Sequence, residues 1–101
     1  MTKIDNYTQA LILLKTHVLV SIQKAQDPLF FILSKDKIMV TNETRKYYIS
    51  FDDYKYNFFN NDTYIYKSLE ELSLNNLDEV DREKEIENQI ILDRENHMIK
   101  Q

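Results

Sequence analysis

Leu29-Phe30-Phe31-Ile32-Leu33 is the run on which the fold turns. Five apolar residues rich in β-formers are too few for a helix and fit a strand covered on both faces. The pattern continues from there to Lys67 in short segments. Ser34-Lys35-Asp36-Lys37 carries turn chemistry, Ile38 to Thr41 resumes as a strand, and Asn42-Glu43-Thr44-Arg45 turns again. Lys46 to Phe51 alternates, with Tyr47, Ile49 and Phe51 opposite Tyr48 and Ser50. After Asp52-Asp53, Tyr54, Tyr56 and Phe58 line one side of an expected fourth strand, opposite Lys55, Asn57 and Phe59. Asn60-Asn61-Asp62 turns the chain, and Thr63 to Lys67 closes the set with Tyr64 and Tyr66 opposite Ile65. Breaks this short favour an antiparallel meander over crossover units.

The chain has 101 residues, the size of one domain with a single modest core. The expected class is α+β: an N-terminal helix packed on a four- to five-stranded antiparallel meander, followed by one or two acidic C-terminal helices. Residues 1–27 form the helical part, 28–67 the sheet and 68–101 the acidic helical segment. Upstream of the sheet, Asp5 is the expected N-cap. Tyr7, Leu11, Leu14, Val18, Ile22 and Ala25 recur at helical spacing with Ile4 in phase. Ile12, Leu13, Leu19 and Val20 lie off that stripe, so the helix is apolar nearly all round. Burial on more than one side follows, and a homodimer through this first helix is one way to provide it. The competing reading makes His17 to Ile22 a strand, because it is compact and β-branched. Asp27-Pro28 ends the segment in either case.

Downstream, Ser68-Leu69-Glu70-Glu71 has the spacing of a capping box. Leu69, Leu72, Leu74, Leu77 and Val80 continue an apolar thread that Asn75-Asn76 can interrupt. Glu79–Glu83, Asp81–Glu85 and Glu83–Glu87 repel at helical spacing, so the next helix is weak alone. Ile86, Ile90, Ile91 and Leu92 give it something to bury, and Asn96 to Gln101 is expected to fray.

Glycine and cysteine are both absent. Without glycine, the loops that cradle phosphates in dinucleotide and P-loop sites cannot be built. Left-handed turn positions are expected at Asn42, Asn60, Asn61, Asn75 and Asn76. Without cysteine there is no thiolate or disulfide chemistry. His17 and His97 have no ligand partner at zinc spacing. Asp52-Asp53 reads as turn chemistry, and Asn60-Asn61-Asp62 lacks the further oxygens of a calcium loop. No catalytic, metal-binding or cofactor-binding residue is expected, and an enzyme is the least favoured class. Ala10 to Val20, the most apolar stretch, is too short for a bilayer and is interrupted by Lys15 and His17, so no membrane contact and a cytoplasmic location are expected.

What remains is surface. Residues 1–67 carry nine Lys/Arg against seven Asp/Glu, while residues 68–101 carry four against ten. An acidic end on a near-neutral body suits a protein partner with a basic surface. The expected partner-binding residues are Asp78, Glu79, Asp81, Glu83, Glu85 and Glu87, joined by Tyr54, Tyr56, Tyr64 and Tyr66. Tyrosines bring contact area, rigidity and a polar tip. The same rings beside Lys46, Lys55 and Lys67 suit stacking of single-stranded nucleic acid, but the acidic balance disfavours it. Codon bias from an AT-rich genome accounts equally well for the tyrosine count. The leading expectation is a small non-enzymatic module that binds and inhibits or regulates another protein. Compact acidic products of this kind occur on phages and mobile elements, and inhibitors of nucleic-acid-handling host enzymes, anti-CRISPR proteins included, share the character. A single-stranded nucleic-acid binder and an oligomeric structural protein are the alternatives.

Overall fold

The computed structural model describes residues 2–22, 28–42, 45–60, 62–72 and 79–99, with the side chains of the last helix described for 81–92. The class is α+β, with an N-terminal helix, a five-stranded antiparallel sheet and a C-terminal helix. The elements are α1 (Tyr7–Leu14), β1 (His17–Ser21), β2 (Leu29–Ser34), β3 (Lys37–Thr41), β4 (Lys46–Ile49), α2 (Phe51–Asp53) continuing as a π-helical turn (Tyr54–Phe58), β5 (Thr63–Ser68) and α3 (Glu79–Ile99). The sheet order is β4-β3-β2-β1-β5, so the doubly apolar run of β2 takes the middle place. Phe31 belongs to one core, with Leu19, Ile38, Val40 and Ile49. Its neighbour Ile32 belongs to a second core on the other face, with Val18 and Met39. α1 and the π-turn cover the first face through Ala10, Leu14 and Tyr54, while α3 covers the second through Ile86 and Ile90.

Two elements differ from expectation. The first helix stops at Leu14, and the peptide N–H groups of Lys15 and Thr16 tighten its end onto Ile12 and Leu13. Val18, Leu19 and Val20 then run as a buried strand beside β2, which is the competing reading of His17–Ile22. These residues suggested a helix apolar all round and a homodimer through it; their burial is inside the sheet. Its N-cap is Asn6, one residue after Asp5, with its side-chain oxygen accepting from the Gln9 peptide N–H.

The second difference is residues 51–58, expected to end one strand and form another. Ser50 instead caps a helical turn, accepting from the Asp53 N–H at 3.0 Å. Phe51, Tyr54 and Phe58 satisfy helical spacing as well as alternation, and Phe59 closes the π-turn by donating to the Tyr54 carbonyl at 2.8 Å. This segment carries the chain across the sheet from β4, at one edge, to β5 at the other.

Turn chemistry also departs from expectation. Among the described residues the left-handed backbone position is Lys35, φ 57°, in the tight β2–β3 turn. Asn42 and Asn60 serve through their side chains, their oxygens accepting from the Arg45 and Asp62 N–H groups. Asn61, Asn75 and Asn76 lie outside the described residues. The capping box is formed: the Ser68 hydroxyl accepts from the Glu71 N–H and the Glu71 carboxylate from the Ser68 N–H. The same Ser68 N–H, then its hydroxyl, hold the exposed Glu71 carboxyl below its usual range.

Tyr54 is the largest fully buried side chain, its ring 5.0 Å from that of Phe31 and 5.9 Å from that of Tyr7. Its hydroxyl has no hydrogen-bond partner among the described residues. Burial first, then the nearby Tyr7, push the phenol well above its ordinary pKa. Tyr54→Phe removes the unsatisfied group and keeps the packing. Its stability in urea should rise by about 1 kcal/mol; a loss of that size would show that the hydroxyl is bonded.

Candidate binding surface

α3 places carboxylates at every second position from Glu79 to Glu87. Each two-residue step turns a helix by about 200°. Such acids cannot share one face, and the fold sorts them into two sets. Glu83 and Glu87 point to the sheet, Asp81 and Glu85 to solvent.

Glu83 is only 6% exposed. One of its oxygens accepts from the Ser34 hydroxyl on β2, the other from the Tyr48 hydroxyl on β4 at 2.8 Å. One turn on, Glu87 pairs with Lys46 on β4 at 3.3 Å. Both are internal fastenings of α3, and their expected place on a solvated acidic face is corrected. Asp78 lies outside the described residues, as does the side chain of Glu79.

The tyrosines are dispersed as well. Tyr54 is buried, so its expected role in partner contact is withdrawn. Tyr64 and Tyr66 are half-buried on β5, where Tyr66 meets the edge of Phe30 at 5.0 Å and Lys67 stands over its ring. Tyr56 is the most exposed aromatic at 73%, and the Lys55 ammonium lies 5.3 Å from its ring centre and 5.6 Å from that of Tyr7. The π-turn carrying Tyr56 lies on the sheet face opposite α3. The sheet therefore separates Tyr54 and Tyr56 from the acidic helix, while Tyr66 packs on the same face as α3.

The outer face of α3 holds something the acidic pattern did not reveal. Ile90 is buried, while Ile91 and Leu92 remain 47% and 48% exposed. Three consecutive apolar residues span more of a helix than one buried stripe, and that was the available signal. The outward face thus runs from Asp81 and Glu85 through Asn88 to Leu92, with Lys84 and Ile91 along one flank. Behind it, a hollow of about 310 Å³ opens between Ile90, Ile91 and Glu87 of α3 and Arg45 and Lys46 at the β3–β4 turn.

His17 lines a second hollow of about 540 Å³ with Lys15, Glu70, Glu71 and Arg82. Its Nδ1 lies 2.8 Å from the Thr16 hydroxyl. Asp52 and Asp53 are exposed in the first turn of α2. Among the described residues no three His, Asp or Glu side chains approach closely enough to hold a metal ion, and no described helix is long and apolar enough to cross a membrane. Compared with protein-family models, curated proteins and solved structures, the chain finds no match.

The Tyr48 phenol is held above its ordinary value, first by its hydrogen bond to Glu83, then by partial burial and the Glu83 charge. Partial burial opposes the Lys46 ammonium, but its bond to Glu87 and the neighbouring charges outweigh this and raise its pKa too. Both groups bind their proton more tightly folded than unfolded. Their contribution is complete below the unfolded values of about 10 and is lost as pH rises through the folded ones. The difference in ultraviolet titration between wild type and Tyr48→Phe should show a midpoint above about 10, and Glu83→Gln should return it toward that value. An unchanged midpoint in Glu83→Gln would separate Tyr48 from the carboxylate. Glu83→Ala, which strands the Ser34 and Tyr48 hydroxyls, should lower stability by about 2 kcal/mol in urea unfolding.

Proposed function

We propose that the chain is a non-enzymatic protein-binding module whose docking face is the outer face of α3. The reading rests on one observation: exposed Leu92 lies in line with exposed Asp81 and Glu85 along the outer face of α3, with exposed Ile91 on the flank beside Lys84. Carboxylates on a rim steer a basic partner and raise the association rate. An apolar pair beside them supplies the desolvated anchor that holds the complex.

The partner this surface fits is a protein with a basic groove rimmed by apolar residues. Proteins that handle nucleic acid carry such grooves, and a carboxylate row can occupy the place of phosphates there. Inhibition or regulation of such a protein is the action proposed, by analogy of surface type. The sheet offers no comparable platform for single-stranded nucleic acid, since both faces are covered along β2.

Affinity capture from host extract, with bound protein and nucleic acid both identified, tests the reading. Wild type should retain a basic protein that Ile91→Asp/Leu92→Asp loses. For that partner, Asp81→Lys/Glu85→Lys should slow association about tenfold at low salt and flatten its salt dependence, with a smaller effect on dissociation. Capture of nucleic acid alone, or a partner indifferent to both variants, would defeat it.

A further inference from the structure

The two edges of the sheet are treated differently. Along β5, residues 2–4 add a short strand: the Ile4 N–H donates to the Thr63 carbonyl at 2.9 Å and the Ile65 N–H to the Thr2 carbonyl at 2.8 Å. That edge is covered. β4 forms the other edge, paired with β3 on one side only among the described residues.

The ladder shows which peptide groups β4 presents. The Asn42 N–H donates to the Arg45 carbonyl. Bonded pairs in an antiparallel ladder recur at every second residue, so Val40–Tyr47 and Ile38–Ile49 are the next two. The N–H and C=O groups of Lys46 and Tyr48 therefore point outward, away from β3. Both side chains lie on the α3 face, Lys46 bonded to Glu87 and Tyr48 to Glu83.

We infer that this edge pairs with the same edge of a second copy of this chain, about a two-fold axis normal to the sheet at Tyr47. Sequence separation makes it self-complementary. Antiparallel pairing centred on Tyr47 sets Lys46 of each copy opposite Tyr48 of the other, so the outward peptide groups of both residues exchange four hydrogen bonds across the axis. On the α3 face, each Lys46 ammonium then meets the other copy's Tyr48 ring, whose hydroxyl is already bound to a carboxylate. Moving the axis to Lys46 sets two ammonium groups opposite each other, and an axis at either Lys46 or Tyr48 leaves one outward residue facing a turn. The contact is small, so the dimer is weak and concentration-dependent. It involves neither the outer face of α3 nor the proposed partner, and its test is independent of that reading.

Hydrogen exchange of the wild-type chain supplies the first measurement. The amides of Lys46 and Tyr48 should slow about tenfold as protein concentration rises, while Tyr47 and Ile49, bonded to β3, stay protected throughout. The second uses the absence of native cysteine. In a non-bonded antiparallel pair the two Cα atoms lie about 4.5 Å apart, within disulfide range. Tyr47→Cys should therefore cross-link into a covalent dimer on mild oxidation, far faster than Ser50→Cys. Sedimentation equilibrium of the wild type should show a monomer–dimer equilibrium. A monomer up to millimolar concentration, concentration-independent exchange at Lys46 and Tyr48, or equal cross-linking of the two cysteine variants would overturn the proposal. So would protection at these amides that arises only when a different protein is added, which would place a foreign strand there.

Discussion

A middle strand with no polar face must be buried from both sides, and β2 imposes that condition on the whole chain. Phe31 and Ile32 are adjacent in sequence, yet each sits at the heart of a separate core. In a domain of this size neither core can be large, so every helical segment is drawn in as cover. α1 alone, eight residues long, is too short to cover five strands. The π-turn completes that layer with Tyr54, Phe58 and Phe59, and the price is a phenol hydroxyl carried into an apolar interior. On the opposite face, the cover has to come from a strongly acidic helix.

How such a helix is held explains its sorted charges. Ile86 and Ile90 supply apolar burial, but two side chains make a modest anchor. Glu83 adds direction. A carboxylate taken out of water is unfavourable unless its oxygens are satisfied, and two hydroxyls from strands on either side of β3 do this. Only one axial position of the helix brings Glu83 to Ser34 and Tyr48 while Glu87 reaches Lys46. The buried carboxylate therefore fixes the position of α3, and nonspecific apolar contact would not. Asp81 and Glu85 are turned outward as a consequence of the same rotation.

Much of this was legible in the residues. β2, β3 and β4 fall within a residue or two of their expected bounds, and the capping box at Ser68 forms as its spacing implies. The failures share one cause: short segments that satisfy two periods at once. Val18 extends the helical stripe of Tyr7, Leu11 and Leu14, but it is equally one step of a β-branched strand, and pairing with β2 decided for the strand. Phe51, Tyr54 and Phe58 fit both patterns, and the Ser50 cap decided for the helix. Glu83 was read as surface because charge is usually solvated. Its inward turn depends on hydroxyls nearly fifty residues away at Ser34 and thirty-five away at Tyr48, which no local pattern reports. The exposure of Ile91 and Leu92 likewise depends on which stripe the sheet selects.

The proposed docking face and the proposed dimer edge are linked through that same fastening. Lys46 and Tyr48 hold α3 with their side chains and present their peptide groups to the open edge. A two-fold axis normal to the sheet leaves both α3 helices on one side of a continuous sheet, with their outer faces turned the same way. Two copies would then offer a pair of acidic, apolar-tipped ridges at a fixed spacing. A partner with a repeated basic groove, or one that is itself two-fold symmetric, would bind the second ridge at high effective concentration. A weak edge contact can serve such an arrangement well, because a partner that engages both ridges adds its own binding energy and shifts the existing monomer–dimer equilibrium further toward the dimer.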